Sequence, residues 1–284
     1  MTSPVHFDLH GPCFLDASRD LVPTRPALWG VPYDGTTSFR PGTRFGPGAL
    51  RLASMGLETY SPDLDADLND LGFSDLGDLE VPFGAPEPVL ERVRACASWL
   101  FEQGVKPLML GGEHSLTPGA VQAACAVYPD LVVVQLDAHA DLRQTYLDSP
   151  NSHACAMRRV LDHTQDLLQV GIRSGTRQEW EELRASGRLV VPDAQALTKA
   201  LERFGQRPIY VTLDLDVLDP AALPGTGTPE PGGINARGLL ELLYTLRGKN
   251  IVAADVMELA PGLDPTGCSA VVAAKAVREL MLLM

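Results

Sequence analysis

Basic side chains are in short supply: 23 lysines and arginines stand against 36 aspartates and glutamates, for a formal net charge of -13 and a pI near 4.8. Nucleic-acid phosphates are held by basic surfaces, so this deficit argues against a nucleic-acid partner. The acidity would suit a cationic small molecule, although solubility alone accounts for it. No run of about eighteen apolar residues occurs, which argues against a membrane span. The N-terminus, MTSPVHFDLHGPCFLDASRD, has neither a basic opening nor a continuous apolar stretch. It does not read as a secretory signal, and a cytoplasmic protein is expected. Cysteine is sparse too. Cys13, Cys96, Cys125, Cys155 and Cys268 are scattered, odd in number and without CxxC spacing, which counts against a disulfide framework or a zinc ribbon. Low-complexity tracts and internal repeats are also missing, and no linker forces a division. Residues 1–284 are expected to form one domain.

What the sequence does have is alternation. Short apolar runs at 27–31, 71–77, 106–112, 131–137, 166–172, 188–192, 208–216 and 250–259 read as strands. Amphipathic stretches at 86–104, 176–187, 236–248 and 268–284 read as helices. Strand, helix, strand repeated this often predicts an α/β fold with a parallel sheet and helices on both faces. Sites in such folds lie beyond the carboxyl ends of the strands, so the residues just after each run carry the interest.

Those residues are unusual. KPLML leads into GGEHS, LVVVQL into DAHAD, PIYVTL into DLDVLDP, and NIVAADV into MELAPGLDP. His114, Asp137, His139, Asp141, Asp214, Asp216 and Glu258 would therefore meet at one rim. In a strand extension, side chains at i, i+2 and i+4 point the same way, which would bring Asp137, His139 and Asp141 together. Carboxylates pressed together oppose one another's ionisation and call for a cation. Four aspartates and two histidines suffice for two divalent ions if two carboxylates bridge. A set dominated by carboxylate oxygen favours manganese, while two imidazoles keep zinc, cobalt, nickel or iron open. Paired ions activate water at neutral pH, so the expected chemistry is hydrolysis.

GGEHS, DAHAD, SHACAMRR, DLDVLDP and DVMELAP, in this order and spacing, resemble the ureohydrolase family of arginases and agmatinases, and most closely the prokaryotic agmatinases. The likeness extends to PYDGTTSFRPGTRFGPGALR and PGTGTPEPGG, and so covers nearly the whole chain. The resemblance implies a three-layer α/β/α sandwich around a parallel eight-stranded sheet. It implies two Mn2+ per chain, with His114, Asp137, Asp141 and Asp214 on one ion and Asp137, His139, Asp214 and Asp216 on the other, Asp137 and Asp214 bridging. It also implies that the chain is a homo-oligomer, trimeric or hexameric.

Glu258 ends an apolar strand, where a buried carboxylate needs a partner. A guanidinium fits it in a bidentate grip, and the resemblance assigns Glu258 to the substrate; a salt bridge to one of the protein's own arginines is the plainer alternative. His153 is either a backbone-satisfied helix-start histidine or, as the resemblance implies, a proton shuttle that also contacts substrate. Asp141 is the expected proton acceptor. The implied reaction is cleavage of agmatine to putrescine and urea. Arg143, where arginases generally carry asparagine, leaves arginine or 4-guanidinobutanoate open as substrates. A zinc amide deacylase of the same fold, with one metal, and a non-catalytic metal-binding protein complete the alternatives.

Overall fold

The computed structural model describes residues 5–284, so the first four residues of the expected domain lie outside the described ones. One sheet runs through the molecule. Its strands are Phe7–Asp8 (β1), Pro26–Gly30 (β2), Ser74–Leu79 (β3), Lys106–Leu110 (β4), Val132–Leu136 (β5), Leu167–Val170 (β6), Leu189–Val190 (β7), Ile209–Asp214 (β8) and Ile251–Met257 (β9). They lie in the order β1-β3-β2-β4-β9-β8-β5-β6-β7, all neighbours being parallel except β1 with β3. Every strand expected from the sequence is present, and together they make the eight-stranded parallel part. The addition is β1, an antiparallel edge of two residues, too short to carry a pattern.

Helices cover both faces. Gly46–Ser54 (α1), Pro86–Glu102 (α2), Thr117–Val127 (α3), Ala156–Val160 (α4), Arg177–Ser186 (α5), Ala194–Glu202 (α6), Ala236–Tyr244 (α7) and Cys268–Leu283 (α8) divide between two apolar cores. One core joins α1, α6, α7 and α8 to the sheet, and the other joins α2, α3, α4 and α5 to its opposite side. This is the three-layer arrangement. Strand β5 explains why the sequence carries runs rather than alternation there: Val132, Val134 and Leu136 fill the first core while Val133 fills the second. Both faces are dry, so both sets of positions are apolar. Each such side chain contributes ~1.5–3 kcal/mol by leaving water.

Helices α1, α3, α4 and α6 fall outside the amphipathic stretches picked from the sequence. In α3, Thr117, Pro118, Gly119, Ala120, Val121, Ala123 and Ala124 are all buried, which leaves no polar stripe to betray a helical period. The consequence of the topology for function is simple. Strands β4, β9, β8 and β5 are immediate neighbours and parallel, so the segments that follow them emerge side by side at one edge.

Candidate metal centre

His114 follows β4 in a short 3-10 turn, after two glycines. A Cβ on Gly112 would lie 1.8 Å from the carbonyl oxygen of Tyr33, so this close passage of backbone requires glycine. The His114 Nδ1 lies 3.0 Å from Asp137 Oδ2, 3.2 Å from Asp214 Oδ2 and 3.3 Å from Asp141 Oδ2. None of these contacts has hydrogen-bond geometry, and the nitrogen is buried. Beside this group, His139 Nδ1 lies 2.8 Å from Asp216 Oδ2 and 3.8 Å from Asp137 Oδ1. Two ligand groups thus overlap at Asp137, one built on His114 and Asp141, the other on His139 and Asp216. Asp214 meets the first group through Oδ2, while its Oδ1 accepts the Asp216 N–H at 2.8 Å.

All six residues converge, although not by strand alternation as expected. Strand β5 stops at Leu136. Beyond it, His139 makes an isolated bridge with Ser174, and Asp141 adopts a left-handed backbone with φ of 54°. A strand continuation would have sent Asp141 out along the sheet axis; the left-handed turn brings its carboxylate back toward His114. Such a conformation costs a non-glycine residue roughly 1–3 kcal/mol and persists only where surroundings enforce it.

The surroundings are polar residues that interrupt buried strands. Gln135 Nε2 donates to Asp137 Oδ2 at 2.7 Å and to the His139 carbonyl at 3.1 Å. Gln169, its neighbour on β6, donates to Gln135 Oε1 at 2.8 Å and to the Ala140 carbonyl at 2.9 Å. On the other side His114 Nε2 meets Thr212 Oγ1 at 2.8 Å, so that Nδ1 is the nitrogen turned to the carboxylates. Thr117 and the Tyr210 hydroxyl both donate to Asp255 beneath it. Sequence reasoning passed over Gln135, Gln169, Thr212 and Asp255. Their signal was present: each is a lone polar residue within an otherwise apolar run.

Glu258 also has a left-handed backbone, with φ of 67°. Its Oε1 accepts the His114 N–H at 2.7 Å. Among the described residues no arginine or lysine forms a salt bridge with Glu258, and the charges acting most on it are those of Glu113, His114 and Asp216, which argues against the plainer alternative of an internal salt bridge. His153 begins the turn His153–Cys155 at the rim, half-buried, with Nε2 3.0 Å from Ser38 Oγ and its N–H donated to Thr36 Oγ1 at 3.0 Å. A cleft of about 190 Å³ opens beside His139 and Asp141 and includes Arg143, Ser174, Thr176 and Glu179 in its walls.

The charges do not balance within the protein. Burial and the neighbouring charges of Asp216 and Asp141 push the Asp137 carboxyl up to about 7. Burial, Asp216 and Asp137 drive Asp214 well above the ordinary carboxylate range. For His139, burial pulls downward but Asp216 and Asp137 outweigh it and carry the imidazole up to about 11. Asp216 answers by resting at about 2 in spite of its burial. Four carboxylates crowded around two imidazoles, with one imidazole nitrogen facing three oxygens and bonded to none, make a donor set suited to hard divalent ions. The residues present fit such ions.

Sequence comparison agrees with this class of metal-dependent α/β protein. Residues 24–283 match the model of the arginase family, and the chain belongs to that family. It is 38% identical over 278 residues to an agmatinase of Halalkalibacterium halodurans and 40% identical over 278 residues to an agmatinase of Bacillus anthracis, with 96% of each chain covered in both cases. Proclavaminate amidinohydrolase from Streptomyces clavuligerus superposes with a TM-score of 0.87 at 32% identity, covering 95% of both chains.

Proposed function

We propose that the chain is a binuclear manganese hydrolase that cleaves agmatine to putrescine and urea. The observation that carries this reading is the pair of candidate ligand groups sharing Asp137, with Glu258 beside them in no salt bridge to an arginine among the described residues. Two agmatinases at 38% and 40% identity favour agmatine among the guanidines. His114, Asp137, Asp141 and Asp214 would hold one ion, and Asp137, His139, Asp214 and Asp216 the second. When bound, such ions lower the pKa of water and stabilise developing charge. The reading extends to residues 1–284 as a single domain, to a cytoplasmic location, and to a homo-oligomer of three or six chains.

The protein's own groups divide the remaining work. Burial and the nearby Glu113 push Glu258 up to about 8, so this carboxyl gains more than an ordinary one from a cation. A guanidinium supplies that cation in a planar, paired form, and Glu258 thereby fixes the position of its central carbon. Asp141 takes the proton released as water adds to that carbon. Burial holds His153 below its ordinary value despite Asp141, so it is largely neutral at pH 7 and able to relay a proton to the departing amine nitrogen.

One observation favours a second substrate. Arg143 lies over the Tyr146 ring at 4.3 Å and only 3.9 Å from Glu179, whose oxygens already accept the N–H groups of Leu142 and Thr176. A guanidinium so weakly engaged, in the wall of the cleft, would suit a carboxylate tail. Metal per chain after manganese loading, with urea release from agmatine, arginine and 4-guanidinobutanoate measured in parallel, tests both readings. Two ions and a preference for agmatine are expected. Preference for an acid-tailed guanidine would move the specificity to Arg143. One zinc and no urea would favour a deacylase, and metal with no turnover a non-catalytic role.

A further inference from the structure

Glu113 is fully buried and, beyond its charge acting on Glu258, takes no part in the steps above. Its carboxylate is bonded to four neutral donors rather than to a cation. Oε1 receives the hydroxyls of Thr36 and Ser115, each at 2.5 Å, and Oε2 receives the Thr36 N–H at 2.8 Å and the Thr37 hydroxyl at 3.3 Å. Three of the four come from one short segment, and that segment is the one that holds His153. The Thr36 hydroxyl accepts the His153 N–H, and Ser38, two residues on, meets His153 Nε2. Because Thr36 Oγ1 accepts from His153, its own proton is directed to Glu113, so the chain of bonds has a fixed sense from histidine to carboxylate.

We propose that Glu113 is the positioning residue for His153, acting through Thr36 and Ser38; this rests on the reading of His153 as the proton relay. Two carboxylate oxygens accept all four donors, whereas a glutamine has one acceptor oxygen and adds two donors of its own. Replacing Glu113 by Gln therefore releases part of the 36–38 segment. The loosening stays local, since Arg40 ties the next stretch to the carbonyls of Thr226 at 2.7 Å and Gly227 at 3.1 Å. A relay must lie within hydrogen-bond reach of the atom it serves, so a slack His153 loses turnover before it loses metal or substrate binding.

The test is a double-mutant cycle on the manganese-loaded full chain, with urea release from agmatine and metal per chain as readouts. Glu113→Gln is expected to lower kcat roughly 10- to 100-fold. KM and metal content should stay within about twofold, below the range of 10-fold or more that marks a lost metal-supporting contact. His153→Ala is expected to cost about 100-fold or more in kcat. In the His153→Ala background, Glu113→Gln should have no further effect, because the group it positions is gone. The same factor lost in both backgrounds, or loss of metal, would reduce Glu113 to a structural staple and overturn the proposal. A His153→Ala enzyme with unchanged kcat would overturn the relay itself and the proposal with it, a result distinct from simple additivity. Thr36→Val, which cuts the link but leaves Ser115 and Thr37 on Glu113, serves in the same cycle should Glu113→Gln not fold.

Discussion

Three histidines share one rim, and their different surroundings suit them to the three roles of the proposed function. His114 is buried with Nε2 turned to Thr212, leaving Nδ1 to the carboxylates. His139 is partly open and locked to Asp216. His153 meets the Thr36 hydroxyl through its N–H and the Ser38 hydroxyl through Nε2, and burial holds it below its ordinary pKa. Substituting His139 by Ala should therefore remove metal and activity together, whereas His153→Ala should spare metal; atomic absorption on the two dialysed variants separates the cases, and equal metal loss would contradict this division. Thr212→Val, which frees His114 Nε2, should weaken metal binding about 10- to 100-fold, as loss of an outer partner usually does, measured by competition with a chelating dye. A proton count supplies a further check. His139 rests at about 11 and is protonated at pH 7, so metal uptake must displace that proton. Calorimetry in buffers of differing ionisation enthalpy should find at least about one proton released per chain; none released would mean that His139 is neutral before metal binds or is not a ligand.

The elements place these residues with little freedom. Strands β4, β9, β8 and β5 are adjacent, and the polar residue near the end of each, or just beyond it, faces the shared rim. Their apolar bodies were legible because burial on both faces leaves unbroken runs. The short α1, α3 and α6 were not, since α3 exposes Gln122, Ala126 and Val127 with a single polar side chain among them, and nine-residue helices offer few turns over which to read a period. Helix α8 offers a pH test well away from the rim. Asp264 accepts the Ser269 N–H at 2.7 Å and its hydroxyl at 2.6 Å, and the Thr266 N–H at 3.0 Å. Those bonds, from Ser269 first and then Thr266, hold its carboxyl below the ordinary 3.8. A depressed carboxylate stabilises the fold above its unfolded pKa and loses that contribution as pH falls through the folded value. Asp264→Ala should cost about 1 kcal/mol at pH 7, as a lost cap does. The gap in Tm between the two proteins should narrow below pH 4; a constant gap would show that the carboxylate charge is not what matters.

At the scale of the whole molecule, the net charge of -13 is concentrated in its consequences at the rim, where Asp137, Asp141, Asp214 and Asp216 face two imidazoles. Divalent ions bind the folded arrangement and not the dispersed chain, so they should stabilise it by mass action. Manganese at about 1,000 times its Kd is expected to add ~4 kcal/mol, seen as a rise in Tm that a chelator reverses. No rise would count against the centre. The sequence alone determined the parallel α/β sheet, the strand ends that carry His114, Asp137, Asp214 and Glu258, and the kinship those motifs announce. These follow from local pattern, because burial writes apolar runs and chemistry writes the residues after them. Only the tertiary structure decided that Asp141 returns through a left-handed turn, that Gln135, backed by Gln169, bonds to Asp137 and Thr212 to His114, and that Glu113 reaches His153 through Thr36. Those arrangements depend on backbone angles and on bonds of which several join residues 34 to 117 apart, and a hydrogen bond across such a distance leaves no periodic trace along the chain.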